Sequence, residues 1–108
     1  AHITGGGLTD NVPRILPAGC TAVIDTQAWL IPPVFDFLRT RGVVPTDDMY
    51  RTFNMGIGLA IVCSRVDATA VLAKLISCGE VGASRIGEVR EGAPGVEYEA
   101  TDVPPLAS

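Results

Sequence analysis

The chain has 108 residues, 8 Lys+Arg against 12 Asp+Glu for a formal net charge of −4, and 47% hydrophobic residues. This length allows one domain, whose folding buries roughly 65% of the surface of the unfolded chain, and the apolar content excludes intrinsic disorder. No apolar run approaches the roughly 20 residues that cross a bilayer, and an acidic chain with one lysine has no basic stripe to neutralise phosphates, so neither a membrane nor a nucleic acid is an expected partner.

His2-Ile3-Thr4-Gly5-Gly6-Gly7 opens the chain, and Leu8, Val12, Ile15 and Leu16 recur behind it at helical spacing. A short helix over 8–16, bent at Pro13 and stopped by Pro17 and Gly19, is predicted. Residues 21–25 read as a buried strand of small and β-branched side chains. Pro32-Pro33 opens a second helix that carries Val34 and Leu38 on one face and ends at Gly42. A third helix starts with Thr46 as its cap, sets Asp47 and Asp48 in the first turn, and buries Met49, Tyr50 and Phe53.

Residues 57–63 are continuously apolar, the pattern of a central strand covered on both faces. The clearest helix follows, with Asp67 near its start, a stripe of Ala68, Val71, Leu72, Leu75 and Ile76, and Gly79 at its C-cap. Residues 84–90 form another strand. After the turn at 91–95, Val96, Tyr98 and Ala100 alternate with Glu97 and Glu99 as an edge strand should. Strands alternating with helices imply an α/β (α+β) layered sandwich with a mixed four-stranded sheet. Residues 1–101 are read as one incomplete domain and 102–108 as a flexible tail.

Cys20, Cys63 and Cys78 are odd in number and widely spaced in apolar surroundings. Neither a disulfide framework nor, with a single His, a zinc set is expected; buried, reduced thiols in a cytoplasmic protein are. The opening has no basic stretch before an apolar segment, so no signal peptide is expected. A Gly-rich loop with no strand before it reads as a start in mid-motif.

The glycine triplet is the sharpest chemical feature. Glycines let backbone N–H groups converge on an anion, and a helix following them adds unsatisfied amides; a flexible turn or a close packing approach is the other reading. Thr4, Gly5, Gly6, Gly7, Asn11 and Arg14 form the candidate phosphate-binding set, with Arg14 able to fork onto an oxyanion. The loop is no Walker motif, because the only lysine is Lys74. His2, the one imidazole, is the candidate catalytic proton carrier. Asp47 and Asp48 suit either a magnesium-phosphate contact or a charged helix start, and the helix start is the favoured reading. Arg51 and Asn54 are auxiliary polar candidates in the dense segment 49–58.

Four blocks together, 1–7, Asn11-Val12-Pro13-Arg14-Ile15-Leu16-Pro17, Met49-Tyr50-Arg51-Thr52-Phe53-Asn54 with Gly56-Ile57-Gly58, and Ile86-Gly87-Glu88-Val89, resemble the aminoimidazole ribonucleotide synthetases, or phosphoribosylformylglycinamidine cyclo-ligases. Met55 departs from the Cys common there, for which a packing change is expected. The resemblance implies the C-terminal part of a two-domain, homodimeric, ATP-dependent ligase of purine biosynthesis that closes the imidazole ring of formylglycinamidine ribonucleotide. It also implies that ATP and Mg2+ are held mainly by an N-terminal domain, the partner of this chain. The chain would contribute an anion loop, hold no metal itself and be inactive alone. The amidotransferase-linked synthetase one step earlier and selenophosphate synthetase share the plan, but the 49–58 block favours the cyclo-ligases. The alternative reading is a non-catalytic anion-binding or structural module of the same fold.

Overall fold

The computed structural model of the chain describes residues 1–42 and 44–99. Its elements run α1 (Gly7–Asn11), a 3-10 turn (Pro13–Ile15), β1 (Cys20–Asp25), α2 (Pro33–Gly42), α3 (Thr46–Thr52), α4 (Arg65–Ser77), β2 (Gly87–Glu91) and β3 (Gly95–Glu99). The predicted helix over 8–16 is thus two pieces. Pro13 lacks the N–H that would continue α1, and the chain tightens into the 3-10 turn there.

The sheet has three strands in the order β2-β1-β3, with β1 antiparallel to β2 and parallel to β3. Ala22 and Ile24 face the same side as Val96 and Tyr98 of β3. Ile3, Leu8 and Val12 cover them, so α1 lies on that face of the sheet. A second cluster of Met49, Tyr50 and Met55 sits among Ile31, Phe35, Val44 and Phe53, and Trp29 and Tyr98 touch both clusters. The Trp29 Nε1 donates to the Met55 carbonyl at 3.0 Å. On the other face, beside the buried Val23, Arg65 and Arg90 both pair with Glu88, the first at 3.0 Å.

The expected fourth strand over 57–63 is corrected. A strand needs a partner for its N–H and C=O groups, and here only residues 1–3 lie alongside, leaving a single antiparallel bridge between His2 and Leu59. The predicted burial fails with it, since Leu59 is 63%, Ile61 51% and Val62 46% exposed. The same holds for α4, which buries no residue. Its local signals are nonetheless all in place. Ser64 caps it by accepting from the Asp67 amide, and the Gly79 and Glu80 amides donate to the carbonyls of Ile76 and Leu75 in a Schellman pattern around Gly79, whose φ is 103°.

The third helix is preceded by Pro45, with no side-chain cap, rather than capped by Thr46. Cys63 and Cys78 are exposed and Cys20 is partly so, because the elements that carry the first two have uncovered faces. β3 alternates as expected through Glu99. Ala100 and the tail at 102–108 lie outside the described residues.

Candidate functional site

The two densest sequence blocks meet in space. Ile3 N–H donates to the Gly58 carbonyl at 2.9 Å, and the Gly5–Gly7 loop then runs onto the C-terminal end of α3. Gly7, at φ 60°, presses its Cα against that end, where any Cβ would collide with the carbonyls of Phe53 and Tyr50. The glycine here serves close approach as well as a left-handed backbone, a conformation that costs other residues about 1–2 kcal/mol.

Asn11 organises the loop. It is 4% exposed, and its Nδ2 donates to the carbonyls of Gly7 at 2.8 Å, Gly5 at 3.2 Å and Thr4 at 3.4 Å. Its Oδ1 accepts from Arg14 Nη1 at 3.1 Å and from Thr4 Oγ1 at 3.4 Å. Both ends of the amide are therefore spent inside the protein. Asn11 shapes the loop and aims Arg14 rather than facing a ligand.

The loop has two electrostatic sides. The Gly7 N–H is already used, donating to the Thr4 carbonyl at 3.0 Å. The Asp10 carboxylate packs over the Gly6 Cα, so an anion approaching there meets a like charge. Gly5 is open, with no atom within 4 Å of where a Cβ would stand, and its amide donates to no acceptor among the described residues. Arg14 lies on this side and is exposed, with no carboxylate partner among the described residues. The arrangement offers the Arg14 guanidinium and the Gly5 amide to an oxyanion at Thr4–Gly5.

The remaining candidates stand apart from that corner. His2 is exposed, opposite Leu59. Arg51 is exposed on α3. Asn54 Oδ1 accepts from the Gly56 amide at 2.8 Å, closing the turn that holds Met55 at φ 54° in the second cluster. Met55 thus has a packing role.

One polar node was not read from the sequence. Thr9 Oγ1 donates to the Tyr50 carbonyl at 3.1 Å and shares a 2.7 Å hydrogen bond with the Tyr98 hydroxyl, tying α1 to α3 and β3 at once. The two tyrosine rings pack tilted at 42°, with centroids 4.7 Å apart. Burial pushes both phenols above their ordinary range; hydrogen bonding with Thr26 at Tyr50 and with Thr9 at Tyr98 partly offsets this. The inward phase of Tyr98 was legible, and a buried tyrosine needs a partner for its hydroxyl. Which residue supplies it was not.

Comparison with known proteins matches residues 1–99 to the family described as AIR synthase related protein, C-terminal domain. The chain is 48% identical over 95 residues to a phosphoribosylformylglycinamidine cyclo-ligase of Cupriavidus pinatubonensis, covering 88% of this chain and 27% of that protein. Proteins of the same name from Burkholderia ambifaria and Alkaliphilus oremlandii are 47% identical over 97 residues and 48% over 93, covering 83% and 86% of this chain and 28% and 27% of theirs. The chain therefore spans little more than a quarter of the length of these relatives.

Proposed function

Because the chain belongs to the family of AIR synthase related protein C-terminal domains, we propose that it is the C-terminal part of a phosphoribosylformylglycinamidine cyclo-ligase of purine biosynthesis. The observation that carries this reading is the 48% identity, sustained over 88% of the chain, to a protein of that name. The full-length enzyme activates the formyl oxygen of formylglycinamidine ribonucleotide with ATP. Attack by the ring nitrogen and loss of phosphate then give aminoimidazole ribonucleotide, ADP and phosphate.

Phosphoryl transfer asks a protein mainly for positioning and for neutralisation of charge. This chain's share is the corner at Thr4–Gly5, where Arg14 and the Gly5 amide hold either the ribose phosphate or the transferring phosphoryl group. Asn11 sets the loop and the guanidinium in place beforehand, which lowers the ordering cost of binding. Arg51, Asn54 and His2 are given no contact with the bound group. Among the described residues no group of three His, Cys, Asp or Glu side chains gathers to hold a metal ion. The family resemblance, rather than that absence, assigns ATP and Mg2+ to the N-terminal part of a homodimeric, cytoplasmic enzyme, and no metal-borne step is routed through this chain.

The test is turnover by the full-length protein. Equal yields of aminoimidazole ribonucleotide, ADP and phosphate from formylglycinamidine ribonucleotide and ATP are expected. ATP cleavage that does not depend on that ribonucleotide would contradict the reading.

A further inference from the structure

The loop that carries the Thr4–Gly5 corner runs directly into α1, a helix of five residues, too short to hold its own form in water. Burial of Leu8 seats α1 in the core, but apolar contact is not directional. Asn11 spends its hydrogen bonds within residues 4–14, so it ties loop, helix and Arg14 to one another. Thr9 makes the outward bonds. Its Oγ1 donates to the Tyr50 carbonyl at 3.1 Å and meets the Tyr98 hydroxyl at 2.7 Å, and among the described residues no other side chain of α1 hydrogen-bonds outside 4–14. The Tyr50 carbonyl lies in the last turn of α3, where carbonyls lack an intrahelical partner, and it is one of the two against which Gly7 closes. Thr9 and Gly7 therefore grip one point on the end of α3, and Tyr98 braces that point from β3.

We infer that Thr9 is a positioning residue for the anion corner: its hydroxyl fixes α1 against α3 and β3, and through Asn11 this sets the Gly5 segment and the Arg14 guanidinium where an oxyanion is received. The path is continuous. From α1, Asn11 Nδ2 donates to the Gly5 carbonyl at 3.2 Å, and its Oδ1 accepts from Arg14 Nη1 at 3.1 Å. Packing alone does not ask for threonine here, since valine has the same shape and lacks only the hydroxyl. With valine, the Tyr50 carbonyl and the Tyr98 hydroxyl would each lose a partner at a partly buried joint, a cost that α1 relieves by shifting and admitting water. Such a shift moves the corner, and a site that works by positioning is sensitive to displacements of about 1 Å.

This inference rests on the reading of Thr4–Gly5 as the anion site of a cyclo-ligase. Thr9→Val and Thr9→Ser are compared in the full-length enzyme, each alone and together with Arg14→Ala, by kcat/KM for formylglycinamidine ribonucleotide. Thr9→Val should lower it about tenfold, whereas Thr9→Ser, which keeps the hydroxyl, stays within about twofold of the parent. In the Arg14→Ala background the Thr9→Val step should shrink to about twofold, because the guanidinium it positions is gone. A mere loss of folded enzyme would act equally in both backgrounds. A tenfold step that persists beside Arg14→Ala, a Thr9→Ser as damaging as Thr9→Val, or unchanged kinetics in Thr9→Val overturns the positioning role. Hydrogen exchange gives a readout independent of turnover. The Asp10 and Val12 amides, which donate to the Gly6 and Leu8 carbonyls, should exchange about tenfold faster in Thr9→Val, with the Asp25 amide of β1 unchanged. Unchanged exchange at Asp10 and Val12, where the parent enzyme has full cyclo-ligase activity, overturns the positioning role alone. Faster exchange there, where the parent converts no ribonucleotide, overturns the functional reading alone.

Discussion

Arg14→Ala in the full-length enzyme removes the one guanidinium at the open side of the loop. A hydrogen bond from a charged donor to a phosphate oxygen contributes about 2 kcal/mol, which is roughly 30-fold in kcat/KM for formylglycinamidine ribonucleotide. Asn11→Ala acts on the same contact at one remove. It unties Arg14 from the 3.1 Å bond to Oδ1 and strips the 2.8 Å donor from the Gly7 carbonyl, so a loss of about tenfold, near 1.4 kcal/mol, is expected. If Asn11 works through Arg14, the double variant is barely worse than Arg14→Ala alone, and the coupling energy is about 1 kcal/mol or more. Steady-state phosphate release with the ribonucleotide titrated gives all four corners of the cycle. Losses that multiply to about 300-fold in the double variant would refute the idea that Asn11 positions Arg14. Asn11→Asp sharpens the test: it keeps an acceptor for Arg14 but turns an acceptor toward three carbonyls, so it should harm the loop more than Asn11→Ala does.

Gly7→Ala must place a methyl group against the carbonyls of Phe53 and Tyr50 at φ 60°, and a loss above about 2 kcal/mol is expected, read from Trp29 fluorescence during urea unfolding. Met49, fully buried in the second cluster, should cost about 2–5 kcal/mol as Met49→Ala by the same assay. The Tyr50 and Tyr98 phenols are raised above their ordinary value of 10.0 mainly by burial, so their contribution is whole below about pH 10 and is lost as pH climbs through the raised folded values. Tyr98→Phe should lose about 1 kcal/mol at pH 8 with the Thr9 bond, yet show a shallower decline between pH 9 and pH 11 than the parent. Parallel urea midpoints across that range would contradict the assignment.

Most signals with a local cause were legible in the sequence, the Thr46 cap being the exception. The Gly79 stop, the Pro13 break and the alternation of Val96 and Tyr98 with Glu97 and Glu99 each follow from one residue's own backbone or phase. The adjacency of the glycine loop and the 49–58 block was not visible, because it depends on Gly7 docking against the end of α3. For Asn11 the residue type suited a ligand contact equally well, and only the four-residue span back to the Gly7 carbonyl shows it turned inward. Residues 57–63 failed for a different reason. Their apolar run specifies a strand that wants a neighbour on its edge, and sequence pattern does not say whether that neighbour lies within the same 108 residues. The carboxylate of Asp10 over Gly6 was not legible either, and it makes one end of the glycine triplet hostile to an anion while the other stays open.

The proposed function requires that the Thr4–Gly5 corner, and not the whole triplet, receive negative charge. Titrating glycine-labelled full-length enzyme with formylglycinamidine ribonucleotide and following the amide resonances tests it directly. The Gly5 amide proton should move downfield on saturation, while that of Gly7, already donating to Thr4, stays in place. Saturation of the enzyme with Gly5 unmoved would contradict the claim.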